Sequence, residues 1–221
     1  MASKDFSTSF SLTEEIADVV RQRILKGEYE IGEKIKENQI ASELSVSRTP
    51  IREAFKILEN EGLIDYIPNR GCFAKGFTKR DVEDIYSVRE ALEELAITWA
   101  SERISEAEIK ALDEQCEQME FYTQKGNVKK VLELNSEFHS IIYDAARSRF
   151  LGQVLRSYKE YLDKTRRTIN YDQTYLDGIL SEHRAILEAL KSKDKEKALK
   201  AMKEHLNASQ MRAEKTWNIK K

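Results

Sequence analysis

The chain has 221 residues and a mass of 25.7 kDa, which suits one small domain followed by a second of about 140 residues. Its 37 Lys and Arg against 39 Asp and Glu leave a net charge of −2, which excludes a generally basic nucleic-acid-binding protein. No apolar run approaches the roughly 20 residues that span a bilayer. Cys72 and Cys116 form no Cys-x-x-Cys pair, which favours free thiols in a cytoplasmic protein.

The first elements along the chain predict a helix-turn-helix. One helix is predicted over Leu12–Lys26, a short second one over Glu37–Leu44 and a third over Arg48–Glu61. Residues 45–47 form the turn between the last two. In the third helix, apolar residues recur at spacings of three and four, at Ile51, Phe55 and Leu58. Gly62 is then expected to end the helix.

The other side of this third helix is basic, because Arg48, Arg52 and Lys56 recur every four residues. Long donors near the start of a helix can fork onto guanine or bind phosphate, as a DNA recognition helix requires. The alternative is an ordinary solvated helix face, and the spacing alone does not decide between the two. Ser47 or Thr49 is expected to cap the helix.

The next segment, Asp65–Lys75, has two short extended runs around Pro-Asn-Arg-Gly, which predicts a β-hairpin. Arg70 and Gly71 are expected at its tip, where a glycine lets the backbone approach a phosphate or a groove wall. Helix, turn, helix and hairpin together favour a winged helix-turn-helix DNA-binding domain over residues 1–76.

The runs Ser47–Ala54, Leu58–Leu63 and Arg70–Gly71 resemble the signature of GntR-type winged-helix repressors. The resemblance implies DNA contacts from the recognition helix and from the wing. Asn38 stands where related proteins often place an arginine or another polar contact residue. The expected DNA-binding residues are therefore Asn38, Arg48, Thr49, Arg52, Arg70 and Gly71.

Residues 77–221 contain no proline and three of the eight glycines, which predicts a mainly helical region. Amphipathic spacing without strand-like alternation favours an antiparallel all-α bundle. Thr78 and Ser105 each precede an acidic residue by three positions, as in a capping box. Helices are predicted near 79–103, 106–124, 128–147, 149–170, 174–192 and 194–217.

The chain has three histidines, and each lies on the apolar stripe of a different predicted helix. They are His139, His183 and His205, and Asn135 lies one turn before the first. A single inward histidine is more often a core residue with an ordinary partner. Three inward histidines would each cost roughly 1–3 kcal/mol of folding free energy if they were buried without partners. A metal site that they share is therefore an equal alternative to three separate core residues.

The motif from Asp81 to Glu93, the pair Phe138–His139, the pair Glu182–His183 and His205 resemble the FCD effector domain of the FadR branch of GntR regulators. Many members bind a metal through an aspartate and three histidines. The resemblance implies that the metal ligands are Asn135, His139, His183 and His205, with Asn135 in the aspartate position. An amide brings no charge, so we expect zinc or nickel rather than a harder ion.

Arg89 is a candidate for binding an effector carboxylate, because a guanidinium can form two hydrogen bonds to it. It flanks an apolar row that is expected to face inward, namely Ile85, Val88, Leu92, Leu95 and Trp99. The alternative is a surface arginine paired with Glu93 at the next turn. Tyr158, Tyr161, Arg166 and Arg167 are further candidates for the pocket.

The expected function is that of a homodimeric, metabolite-responsive transcriptional regulator, a repressor by analogy, that binds operator DNA and a small organic acid. One alternative is a metal-dependent hydrolase with Glu182 as base. Adjacent residues of a helix point about 100° apart, so Glu182 and His183 do not easily face one cavity, and we expect no enzyme. Another alternative is a regulator whose metal is purely structural.

Overall fold

The computed structural model describes residues 12–75, 78–165 and 171–216. The chain divides into two compact units, and the change from one to the other falls between residues 79 and 80. Within the described residues, no helix is both long and apolar enough to cross a membrane.

The N-terminal unit combines three helices with a small sheet, as the sequence predicts. Its elements are α1 (Leu12–Leu25), β1 (Lys34–Ile35), α2 (Glu37–Glu43), α3 (Arg48–Asn60), β2 (Ile64–Ile67) and β3 (Gly71–Ala74). The sheet is antiparallel, with β3 in the centre. Strand β1 was not predicted, because two residues are too short to show alternation; it pairs Lys34 with Phe73.

The helix-turn-helix packs as the apolar spacing predicts, with Ile51, Phe55 and Leu58 buried. Gly62 follows α3 with φ +73°, a left-handed conformation that suits glycine. The expected cap was wrong in one respect. Ser47 occupies the N-cap position but its side chain accepts no hydrogen bond there. An N-cap side chain accepts from the second or third N–H of the helix, and Pro50 in the third position has none.

The C-terminal unit is all helical in its described part. Its helices are α4 (Lys79–Arg103), α5 (Glu106–Gln124), α6 (Val128–Ala145), α7 (Arg149–Thr165), α8 (Gln173–Lys191) and α9 (Lys195–Thr216). Ser105 forms the predicted capping box with Glu108 at the start of α5. The core contains apolar residues of α4, α5, α6, α8 and α9. Residues 166–170 and 217, which were predicted as helix, lie outside the described residues.

Helix α4 agrees only in part with the orientation that the sequence predicts, since Leu92 and Trp99 of the apolar row pack against buried residues. In the apolar row expected to face inward, Val88 is 51% exposed and Leu95 is 39% exposed. The buried face instead carries the polar side chains of Tyr86, Arg89 and Glu93. Polar groups can face a core when they pair there, and apolar spacing cannot reveal this.

Candidate metal centre and DNA-binding surface

Three histidines from α6, α8 and α9 meet inside the C-terminal unit. His139, His183 and His205 are buried, and each offers one ring nitrogen within 4.8 Å of those of the other two. The Nε2 atoms of His139 and His205 are 3.2 Å apart. The predicted convergence of the imidazoles is therefore present in the structure.

The opposite ring nitrogens face acceptors. The Nδ1 atom of His183 lies 2.7 Å from the carbonyl oxygen of Ile179, and that of His205 lies 2.9 Å from Oε2 of Glu182. His139 Nδ1 lies 3.6 Å from Oε2 of Glu93. Because carbonyl and carboxylate oxygens only accept, these contacts favour a proton on each Nδ1.

With the protons on Nδ1, each Nε2 carries a lone pair into the centre. Two facing lone pairs at 3.2 Å do not form a hydrogen bond, and His183 Nε2 has no hydrogen-bond partner in the described part of the chain. A cation would satisfy all three nitrogens at once. Histidine ligands usually donate their second ring N–H to a carboxylate or a backbone carbonyl, the same groups that lie here.

Burial also keeps the three rings in the form that binds metal. Burial lowers the pKa of His139 to about 4, of His183 to about 3 and of His205 to about 4. The imidazoles are thus neutral at pH 7, and neutral imidazole is the coordinating species. These residues could therefore hold a metal ion.

Asn135 and Arg89 lie beside this cluster on α6 and α4. Asn135 is buried one turn before His139. Arg89 is 5% exposed. Its Nε donates to Oε1 of Glu93 at 3.4 Å and its Nη1 donates to Oγ of Ser209 at 3.3 Å. Arg89 is thus paired with Glu93, as the alternative of a surface arginine predicted, but this pair lies inside the bundle.

Two carboxylates that contact this cluster were not predicted as part of it, the partly buried Glu182 and the buried Glu93. Glu182 accepts two hydrogen bonds from Arg212, at 2.5 and 2.7 Å, and faces His205 rather than its neighbour His183. Burial would raise the pKa of Glu182, but the bonds from Arg212 and His205 lower it to about 2. The pKa of Glu93 is likewise held below its usual range against the effect of burial, by His139 and Arg89. Glu182 thus contacts the histidine cluster through His205.

The other candidates for the pocket are only partly described. The hydroxyl of Tyr158 donates to the carbonyl oxygen of Ile85. The side chain of Tyr161 and the residues Arg166 and Arg167 lie outside the described residues.

The basic face of α3 is at the surface. Arg48, Thr49, Arg52 and Lys56 are all exposed, and so is Asn38 on α2. Two of these cations are held by carboxylates, since Arg52 Nε donates to Glu37 at 3.0 Å and Lys56 donates to Glu53 at 2.8 Å. Exposed pairs of this kind are weak, so the cations can exchange them for DNA.

The wing also includes a cation, Lys34, that was not predicted from the sequence. Arg70 lies in the exposed turn, and Gly71 opens β3 with φ +101°. A Cβ at Gly71 would lie 3.2 Å from the side chain of Lys34, which β1 places beside the wing. Lys34 and Arg70 both lie near the Phe73 ring, at 6.0 and 5.7 Å from its centroid. Only the pairing of β1 with β3 brings Lys34 there.

Comparison with known proteins agrees with both halves of this description. Residues 12–74 match the model of the gntR family of bacterial regulatory proteins, and residues 84–208 match the FCD domain. The HTH-type transcriptional regulator YdhC of Bacillus subtilis, described as uncharacterized, is 33% identical over 85% of this chain and 84% of its own. The gluconate operon transcriptional repressor of Bacillus licheniformis is 27% identical over 91% of this chain and 85% of its own.

A solved structure has the same fold. It is that of Lar, which controls the expression of the Listeria monocytogenes agr system, with a TM-score of 0.71 and 18% identity over 95% of this chain and 99% of that one. The matching families and relatives are regulators, which confirms the expectation that this chain is not an enzyme. The chain belongs to the GntR family of bacterial transcriptional regulators and carries an FCD domain at its C-terminal side.

Proposed function

We propose that the chain is a homodimeric repressor whose residues 1–76 bind operator DNA and whose residues 77–221 bind a metal ion and a small carboxylate. The exposure of Arg48, Arg52 and Arg70 on α3 and the wing turn supports the DNA contacts. A relative named as the gluconate operon repressor supports the direction of control. A DNA-binding regulator of this kind acts in the cytoplasm, where the bacterial chromosome lies.

The DNA contacts are tested by Arg52→Ala on an operator selected from random duplexes. If Arg52 contacts a base, its loss should weaken specific binding about 10- to 100-fold and leave binding to random DNA nearly unchanged. Lys56→Ala is a matched control for charge, because Lys56 lies one turn farther along the same face. An equal loss on random DNA would assign Arg52 to phosphate contact.

For the metal we propose zinc or nickel, held by His139, His183 and His205 with Asn135 as a further oxygen ligand. Three imidazoles suit these ions, and an amide adds no charge. The buried Arg89 and the partly buried Arg212 balance Glu93 and Glu182, so a divalent ion leaves an excess of positive charge in the centre.

That excess supports an anionic effector. The bound ion supplies a Lewis acid for one carboxylate oxygen, and Arg89 supplies donors for another group of the same molecule. An effector that binds one arrangement of the dimer better than the other shifts the equilibrium between them and changes DNA affinity. Release from DNA is the direction we propose.

The metal centre is tested by His183→Ala. We expect the wild-type protein to contain one bound ion by elemental analysis and the variant to contain none. Zinc at a hundred times its dissociation constant should stabilise the wild type by about 2.7 kcal/mol, and the variant should gain nothing. Full retention of the metal by the variant would remove His183 from the ligands.

Calorimetric titration with citrate, with and without the metal, separates two roles of the ion. Binding that needs the metal supports the effector site. Metal binding without any response to carboxylates would support a structural ion instead.

The homodimer is supported by apolar side chains that the chain leaves uncovered. Val88 and Leu95 on α4 are exposed, and Phe150 on α7 is 79% exposed. Light scattering after size-exclusion chromatography should give twice the mass of the chain. A charged substitution such as Leu95→Glu should shift that mass toward the monomer.

A further inference from the structure

We infer that Glu93 is a positioning residue that fixes His139 in the tautomer able to bind metal, an inference that rests on the proposed metal centre. Glu93 is 1% exposed. Its Oε1 accepts hydrogen bonds from Tyr143 at 2.6 Å and from Arg89 Nε at 3.4 Å. Its Oε2 and His139 Nδ1 lie 3.6 Å apart, and neither has a hydrogen-bond partner among the described residues.

The facing atoms define which ring nitrogen carries the proton. An ionised carboxylate only accepts hydrogen bonds, so Oε2 can satisfy His139 only when the proton is on Nδ1. Nε2 then carries the lone pair that points to His205. Leaving both buried atoms unpaired is unfavourable, and a closer approach of a few tenths of an ångström forms the bond.

The second oxygen of Glu93 makes this role testable with a substitution of the same shape. Arg89 Nε is a donor only, so in Glu93→Gln the amide oxygen stays on the Arg89 side. The amide nitrogen then faces His139 Nδ1 and donates to it. His139 must accept at Nδ1 and carry its proton on Nε2, where the proton blocks coordination.

Arg89 therefore determines which way the side-chain amide of Glu93→Gln is turned. In the double variant Arg89→Met, Glu93→Gln, the remaining partner is Tyr143, whose hydroxyl can accept as well as donate. The amide is free to turn, present its oxygen to His139 and restore the proton to Nδ1. A purely structural role for Glu93 predicts the opposite, because the double variant loses more native contacts than the single one.

The experiment measures zinc affinity by competition with a chromophoric chelator, and the position of the ring proton by 15N NMR of the histidines. We expect Glu93→Gln to bind zinc about 10- to 100-fold more weakly than the wild type, and the double variant to regain most of the loss. Glu94→Gln is the control, since Glu94 is the next residue of α4 and its carboxylate pairs with Lys203, at 2.7 Å, instead of with a histidine. It should bind zinc as the wild type does.

Equal zinc affinity of Glu93→Gln and the wild type would overturn the role of Glu93 and leave the metal centre standing. A wild-type protein that binds no zinc would overturn both. If Glu93→Gln does not fold, the double variant is compared with Arg89→Met, Glu93→Met, which has no oxygen for His139. Equal affinity of these two double variants would also overturn the inference.

Discussion

The two units of the molecule each bury a charged cluster, and the clusters differ in how completely they are paired. In the N-terminal unit, buried Arg21 of α1 donates from Nε and Nη2 to both oxygens of Glu61, at 2.7 and 2.8 Å. Its Nη1 donates to Asp18. This pairing joins the first helix to the end of the recognition helix and leaves the guanidinium well satisfied.

The cluster in the C-terminal unit is incomplete in its described part. Glu93 Oε2, His139 Nδ1 and His183 Nε2 are buried and lack hydrogen-bond partners there. Glu93 Oε2 and His139 Nδ1 face each other, whereas His183 Nε2 faces no donor among the described residues and indicates a missing partner such as an ion. The complete cluster thus stabilises the fold, whereas the histidines of the incomplete one could hold a metal ion.

The largest expected difference between the units is their response to acid, because all three histidines lie in the C-terminal unit. Their pKa values are lowered by burial to about 3–4 in the folded chain. Below about pH 6.5 the unfolded chain therefore binds more protons, and stability falls as pH decreases. Three groups give a slope of at most about 4 kcal/mol per pH unit, which is approached near pH 5.

Urea unfolding of the metal-free protein, followed by tryptophan fluorescence, measures this slope. Both tryptophans, Trp99 and Trp217, belong to the C-terminal part of the chain. Hydrogen exchange of α1 and α3 reports on the N-terminal unit, which should change little over the same pH range. A flat profile for both units would contradict the assignment of neutral, buried imidazoles.

The next largest effect is expected from the complete cluster. Glu61→Ala removes the carboxylate that pairs with the buried Arg21 and leaves the contact with Asp18. Breaking a buried pair in this way costs about 3 kcal/mol of stability. Hydrogen exchange should show the loss in α1 and α3, while zinc affinity stays unchanged. Glu53→Ala is the control, because it removes an exposed pair with Lys56 and should have little effect.

Much of this fold could be predicted from the sequence because it depends on local spacing. The turn around Val46 and the bounds of α4 and α5 follow from apolar periodicity and breakers, and the structure confirms them. The inward direction of the three histidines follows from the same periodicity. These features need only the neighbours within one helix.

Pairing between helices could not be predicted in the same way. The contact of His139 with Glu93 joins α6 to α4, and no spacing within either helix indicates it. Val88 and Leu95 of the predicted apolar row of α4 are exposed, whereas Arg89 and Glu93 pair with each other inside the bundle. Lys34 was missed since its position depends on a strand of two residues.

The smallest expected effect is that of replacing the serine at the start of one helix in each unit. Ser105 accepts a hydrogen bond from the backbone N–H of Glu108, so Ser105→Ala should lower the unfolding free energy by about 1 kcal/mol. Ser47→Ala should cost less, because the third position of α3 is Pro50 and offers no N–H to accept. Urea unfolding of both variants at pH 7.5 measures the difference. Equal losses would mean that Ser47 stabilises α3 by an interaction other than a cap, whereas the expected inequality ties the stability of each helix start to the presence of a backbone donor.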